Sequence, residues 1–96
     1  MDLEITGYEV ESLEDPFGLL AGERYEYLLN IEVDEEDELY REQGLSLRVI
    51  YRNENGDGTI LQYHFIDRAS GKVIDFALEE DEETQVISYC KQHLPE

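Results

Sequence analysis

Cys90 and His93 are the pair of residues most suited to chemistry, because a thiol and an imidazole stand three positions apart. On a helix this spacing places both groups on one face, where they are able to share a zinc ion. The pair is two ligands short of a structural zinc site, and Cys90 is the only cysteine of the chain. It also falls on the apolar face of its predicted helix, where cysteine behaves as a small hydrophobic residue. Core packing is therefore favoured over a metal site or a Cys-His nucleophile.

A second motif, Asn53-x-Asn55-x-Asp57-Gly58, partly matches the start of an EF-hand calcium loop. The match fails at its first position, which is Asn, and at its twelfth, where His64 replaces the required bidentate glutamate. Asn and Gly residues in this order are typical of a hairpin turn. The sequence contains no nucleophile elbow, phosphate-binding loop, dinucleotide fingerprint or zinc spacing. It therefore predicts no catalytic residue, no cofactor and no metal ligand.

Acidic side chains form two short runs, each at the start of a predicted helix. The runs contain Asp34, Glu35, Glu36, Asp37 and Glu38, and Glu79, Glu80, Asp81, Glu82 and Glu83. Carboxylates at a helix start interact favourably with the positive end of the helix dipole, which favours solvated helix termini. Two other interpretations stay open: a site for a hard cation, and a surface for a basic partner.

Net charge restricts the classes of partner. The chain has 96 residues, with 25 Asp and Glu against seven Lys and Arg, a formal net charge of −18. Such a field repels phosphate backbones and anionic leaflets, so neither nucleic acid nor a membrane is an expected partner. The amino terminus lacks the features of a signal peptide, and no apolar run approaches the length of a membrane span. We expect a cytoplasmic protein of one domain, residues 1–96.

Hydrophobic periodicity predicts the elements that position these residues. A period of two predicts strands over 3–11, 23–33, 45–52, 59–67 and 73–78. A period of 3.6 predicts a helix over 80–94, and a weaker one over 34–43. The order β-β-(α)-β-β-β-α favours an α+β fold, in which a mainly antiparallel five-stranded sheet carries the C-terminal helix on one face. A phase slip near Gly7 indicates a β-bulge in the first strand.

The alternation assigns each residue to one sheet face. The face beneath the helix is expected to carry Tyr25, Leu29, Val49, Leu61, Tyr63, Phe65 and Phe76. The opposite face is expected to carry Arg24, Leu28, Arg48, Ile50, Arg52, Gln62, His64 and Ile66, together with Asn30 and Ile60. Three readings of this second face stay open. They are ordinary cross-strand pairing with Glu26 and Glu32, an interface in which arginine surrounds apolar residues, and a site for a small anion.

Several stretches make the chain resemble a known family. They are Asp15-Pro16-Phe17-Gly18, the run Ile31 to Tyr40, Gln62-Tyr63-His64-Phe65, and Asp75 to Glu80. Together they are similar to an uncharacterised family of small acidic proteins from spore-forming Gram-positive bacteria. The resemblance covers nearly the whole chain and implies a bacterial, cytosolic origin, but no activity and no functional residue.

The sequence therefore favours a non-enzymatic interaction or regulatory module, whose partner is a basic protein or a second copy of the chain. The alternative is a protein that binds a small ligand or a divalent cation through the arginine-bearing face or an acidic run. An enzyme ranks third, because no set of residues points to a reaction.

Overall fold

The computed structural model describes residues 4–13, 22–54 and 56–95. Leu3, Asn55 and the Asp15-Pro16-Phe17-Gly18 motif lie outside these residues. Five strands and one helix follow in chain order: β1 (Glu4–Leu13), β2 (Glu23–Glu32), β3 (Leu45–Glu54), β4 (Asp57–Asp67), β5 (Val73–Ile74) and α1 (Glu80–Gln92). The strands form one antiparallel sheet in the order β1-β2-β3-β4-β5. The predicted α+β fold with a C-terminal helix is confirmed.

The first three strands have the predicted register. Tyr27 pairs with Val49 and Leu28 with Arg48, so the valine points inward and the arginine outward, as the alternation requires. Pairing of β1 with β2 shifts between Ile5 and Gly7, which confirms the predicted bulge. The β3–β4 hairpin closes where Glu54 pairs with Asp57, and Gly56 has a φ of 85°. This left-handed conformation is the one that a tight hairpin turn favours at glycine.

The inward face of β4 differs from the prediction because this strand contains a second bulge. Ile50 pairs with Gln62, whereas Tyr51 pairs with Ile60, so Leu61 is an additional residue without a partner on β3. The alternation reverses at this point. Ile60 consequently packs against the core instead of facing outward, and Leu61, predicted to be buried, is 43% exposed. Both assignments from the sequence were wrong.

The fifth strand is much shorter than predicted, since it contains only Val73 and Ile74. The residues from Asp75 to Glu79 connect the sheet to the start of α1. A helix packed on a sheet lies about 10 Å from it, and an extended chain covers about 3.3 Å per residue, so most of this connection is needed to change layers. Phe76 is therefore not in a strand and is 39% exposed, although its ring contacts Phe65 with 5.9 Å between centroids.

The weaker predicted helix, 34–43, is a series of turns. Backbone amides of Asp37, Tyr40 and Gly44 each donate to the carbonyl three residues earlier, at 2.9 to 3.0 Å. The Asp37 carboxylate accepts from the amide of Leu39 at 2.9 Å, a local bond that competes with helical pairing. Leu39 is buried and belongs to the core, so one apolar side chain holds this segment.

The core lies between α1 and the inward sheet face. α1 packs on β4 and β3, and its Val86 and Cys90 are fully buried. The helix ends at Gln92, two residues before the predicted end at Leu94, and His93 is its C-cap.

The ring of Tyr51 lies over Gly58, where an added Cβ would be 2.7 Å from ring carbons, so a side chain at Gly58 would displace this tyrosine. No helix in the described residues is long and apolar enough to cross a bilayer.

Candidate functional site

The sheet face opposite α1, called the outer face below, brings together the eight residues predicted to share it. Their register follows three adjacent strands, with Leu28 opposite Arg48 and Ile50 opposite Gln62. The outer face comprises Arg24 and Leu28 on β2, Arg48, Ile50 and Arg52 on β3, and Gln62, His64 and Ile66 on β4. Ile60 does not belong to it, because of the bulge in β4.

The centre of the outer face contains the apolar side chains of Leu28 and Ile50. They are diagonal neighbours on adjacent strands, two residue pairs apart, and both are half-buried, as is Ile66. The helix packs on the opposite side of the sheet. Among the described residues, therefore, no helix or strand covers these side chains. An uncovered apolar centre on a sheet face is a feature of protein interaction surfaces.

Two arginines of the outer face, Arg48 and Arg52, already have carboxylate partners. Arg48 donates from Nε to one Glu26 oxygen at 3.0 Å and from Nη2 to the other at 3.3 Å. This two-point pairing raises the pKa of Arg48. The Nε of Arg52 lies 3.9 Å from a Glu54 oxygen. The predicted cross-strand pairing is thus found for Glu26, whereas Glu32 stands opposite Glu4 on β1.

His64 and Gln62 form a polar pair at one side of the outer face. The Nδ1 of His64 lies 2.7 Å from the Tyr63 carbonyl oxygen, and its Nε2 lies 3.1 Å from the Gln62 amide nitrogen. These contacts suit an imidazole that donates from Nδ1 and accepts at Nε2. The pair is held to its own strand, so it contributes polar groups beside the apolar centre.

The first strand adds an acidic border that the sequence reasoning did not assign to this site. Glu9 pairs with Leu28 and Glu11 with Glu26, so both glutamates lie on the outer face. Leu13, opposite Arg24, adds a further apolar side chain. The phase slip near Gly7 carried the necessary signal, since it determines the face to which the residues after Gly7 point.

The two acidic runs line exposed turns and the first turn of α1. Asp34 to Glu38 lie in the turns between β2 and β3, and Glu79 to Glu83 surround the start of the helix. The Glu79 amide donates to the Glu82 carboxylate at 2.9 Å, which is part of a capping box. Within the described parts of the chain, no three His, Cys, Asp or Glu side chains converge in a metal-binding arrangement.

Cys90 and His93 have different environments. Cys90 is fully buried, and burial raises the pKa of its thiol to about 12, so the predicted core role is confirmed. The ring of His93 stacks on Tyr89 with 4.1 Å between centroids and contacts Tyr8 at 4.7 Å. Its Nδ1 lies 2.7 Å from the carbonyl oxygen of Tyr89. The imidazole thus belongs to an aromatic cluster at the helix end.

Comparison with known proteins identifies a family but no activity. Residues 3–96 match the model of a family of unknown function, DUF6509. No curated protein and no solved structure matches the chain. Since the match spans nearly the whole sequence, the chain belongs to the family of unknown function DUF6509.

Proposed function

We propose that the protein is a non-enzymatic interaction module, and that its outer face binds a second copy of the chain. One observation carries the proposal: Leu28 and Ile50 form a half-buried apolar centre on a sheet face that no described helix or strand covers. Burying apolar area of this kind contributes about 25 cal/mol per Å². Arginine beside an apolar centre is also a composition that interface cores favour.

Charge supports a macromolecular surface over a small anion as the ligand. The guanidinium of Arg48 is already held at two points by Glu26, and Arg52 lies near Glu54. A small anion would have to displace these carboxylates and would gain nothing from the apolar side chains. A second sheet face leaves the ion pairs in place and buries Leu28 and Ile50 beside them. The outer face also holds three of the seven Lys and Arg residues, which offset part of the carboxylate charge on that face.

Two-fold symmetry restricts how two outer faces fit together. The outward residues of β1 include Glu4, Glu9 and Glu11, whereas those of β4 include the uncharged Gln62 and Ile66. An axis parallel to the strands, between β2 and β3, places β1 of one copy over β4 of the other. An axis across the strands would instead oppose the two acidic β1 strands. The first arrangement keeps the two acidic β1 strands apart and is the one we propose.

The available area is sufficient for a dimer of modest stability. Four long strands spaced about 4.8 Å apart, each about ten residues long at about 3.3 Å per residue, present about 600 Å² per copy. The total of about 1,200 Å² exceeds the roughly 1,000 Å² that a specific interface requires. It lies at the lower end of stable interfaces, which suits a dimer that exchanges with monomer. We place this module in the cytoplasm of a spore-forming Gram-positive bacterium, in agreement with the resemblance of its sequence.

Mass in solution tests the proposal. The wild-type chain should show about twice its 11.2 kDa mass in light scattering at high protein concentration. Ile50→Asp should give a folded monomer with an unchanged circular-dichroism spectrum, because it introduces two carboxylates into the apolar centre of the dimer. Leu61→Lys is the matched control, since this exposed residue lies at the β4 bulge, and it should remain dimeric. A wild-type protein that is monomeric at millimolar concentration would refute the outer-face dimer.

A further inference from the structure

The short fifth strand leaves most of one edge of β4 open. Within the described residues, β5 pairs with β4 only at Phe65 and Ile66. In the part of the chain that the structure describes, the stretch from Asp57 to His64 has β3 on one side and no strand on the other. An unpaired strand edge presents backbone N–H and C=O groups that are able to bind another extended chain.

An apolar groove runs along this open edge, between β4 and α1. We call it the β4 groove; its lining residues are Thr59, Ile60, Leu61, Gln62, Tyr63, Glu83 and Ile87. Leu61 is 43% exposed, because the bulge removes it from the regular alternation. Ile87 on α1 is half-buried and forms the opposite wall. A strand added to β4 would therefore place alternate side chains against these apolar walls.

The two edges of the sheet differ in their protection against strand addition. The edge strand β1 carries exposed carboxylates at Glu4, Glu9 and Glu11, and charged edge residues discourage pairing with other chains. The open stretch of β4 has Asp57 as its only charged side chain. The chain has a net charge of −18, yet this edge carries almost no charge. An uncharged, apolar strand edge indicates a surface that binds a ligand strand.

Charge determines which occupant fits the β4 groove. Glu83 lines the groove, and Glu80, Asp81 and Glu82 belong to the same first turn of α1. A second copy would bring its own Glu83 and acidic helix start to the shared edge, where close like charges cost about 1 kcal/mol per pair in water. A cationic chain is attracted by the same carboxylates and by the net charge of the whole protein.

From this geometry we propose that the β4 groove binds an extended peptide in which apolar residues alternate with lysine or arginine, as an additional strand on β4. The main-chain groups of β4 supply hydrogen bonds, and the apolar walls accept every second side chain. The basic residues between them point away from α1 and are attracted by the net negative charge of the protein. The proposal does not require the outer-face dimer, because the groove opens at the edge of β4 toward α1; Gln62 is the one residue assigned to both surfaces.

A designed peptide tests the proposal. The probe is a fluorescein-labelled peptide of eight residues with strictly alternating valine and lysine, and the readout is anisotropy at physiological salt. We expect saturable binding, with amide chemical-shift changes concentrated at Thr59 to Tyr63. Two control peptides should each bind at least tenfold more weakly. One has the same composition with the valines and the lysines in separate blocks. The other has alternate backbone nitrogens methylated on the edge that would pair with β4. Equal binding of either control would show that attraction is only electrostatic and would overturn the proposal.

Two variants locate the site. Leu61→Lys removes an apolar wall and adds a repelling charge, so it should weaken the alternating peptide at least tenfold while the circular-dichroism spectrum stays unchanged. Ile50→Asp changes the outer face alone and should leave peptide affinity within twofold of wild type. Peptide-induced chemical-shift changes at β1 instead of β4 would contradict the proposal. A Leu61→Lys variant that no longer dimerises but still binds the peptide would contradict it as well. If Leu61→Lys fails to fold, Ile87→Lys provides the same comparison from the helix side of the groove.

Discussion

The hydroxyl of Tyr27 on β2 donates a hydrogen bond to the carbonyl oxygen of Cys90, 2.8 Å away and 63 positions later in the chain. It also lies 3.2 Å from the carbonyl oxygen of His93. Both carbonyls lie at the end of α1, where no further helical turn supplies amide donors, and that of Cys90 also accepts from the amide of His93 at 3.2 Å. The contact therefore ties the C-terminal end of the helix to the middle of the sheet.

Replacement of Tyr27 and of Tyr51 by phenylalanine should have opposite outcomes. Both tyrosines are fully buried, and their rings are 6.0 Å apart. Tyr27→Phe removes the bond to Cys90 and should lower the free energy of unfolding by about 1 to 2 kcal/mol. The Tyr51 hydroxyl is buried and has no hydrogen-bond partner among the described residues. Tyr51→Phe should leave stability unchanged or raise it, because an unpaired buried hydroxyl is destabilising. Urea unfolding of both variants checks the pair, and equal losses would contradict it.

Truncation of Ile87 tests the packing of α1 on the sheet. This side chain contacts the core but is only half-buried, in contrast to the fully buried Val86 beside it. Ile87→Ala should destabilise the protein by about 2 kcal/mol, the lower end of the range for such substitutions. Ser88→Ala, at an exposed position of the same helix, is the control and should change little. A negligible loss for Ile87→Ala in urea unfolding would mean that the helix does not pack as described.

Added salt should stabilise the fold near neutral pH. The acidic runs concentrate like charge in the turns at Asp34 to Glu38 and at the start of α1, Glu79 to Glu83, in a chain of net charge −18. Raising ionic strength from about 0.01 M to about 0.15 M shortens the screening length from about 30 Å to about 8 Å. Self-repulsion then decreases, and the melting temperature should rise by several degrees. The comparison requires a protein concentration at which the oligomeric state is constant. A flat melting temperature would indicate that the runs are already neutralised.

Alkaline conditions should destabilise the protein through its buried thiol. Folding raises the pKa of Cys90 from 9.0 to about 12 by burial, and burial also raises the pKa of Tyr27. In both cases the unfolded chain loses its proton first, so high pH favours unfolding. The stability that protonated Cys90 contributes is complete below about pH 9 and is lost as pH rises toward 12.

The urea midpoint of the wild-type protein should therefore be lower near pH 10.5 than near pH 8. The difference between the two pH values should be smaller for Cys90→Ala. Native Cys90 should also react slowly with a thiol reagent at pH 8, since the thiolate is the reactive form. A thiol that reacts at the rate of a free cysteine in the folded protein would contradict its burial.

Much of the fold was predictable because side-chain direction in a strand is a local property. Successive residues alternate between faces, so the period of two assigned Val49 inward and Arg48 outward before any partner strand was known. The bulge near Gly7 was predictable for the same reason, since it interrupts that period. The helix start was evident from its acidic first turn and the apolar spacing of Val86 and Cys90.

Tertiary structure alone decided the features that depend on two segments meeting. The bulge at Leu61 arises because β4 has 11 residues where β3 has 10, a mismatch that exists only once the strands are paired. The alternation of Ile74, Phe76 and Leu78 suits a strand, yet the chain must leave the sheet after Ile74 to reach the helix layer. Leu39 is buried without a helix around it, since three hydrogen-bonded turns bring it to the core. Sequence by itself therefore determined which way side chains point, and only packing between segments decided where each element ends and which edge of the sheet stays open.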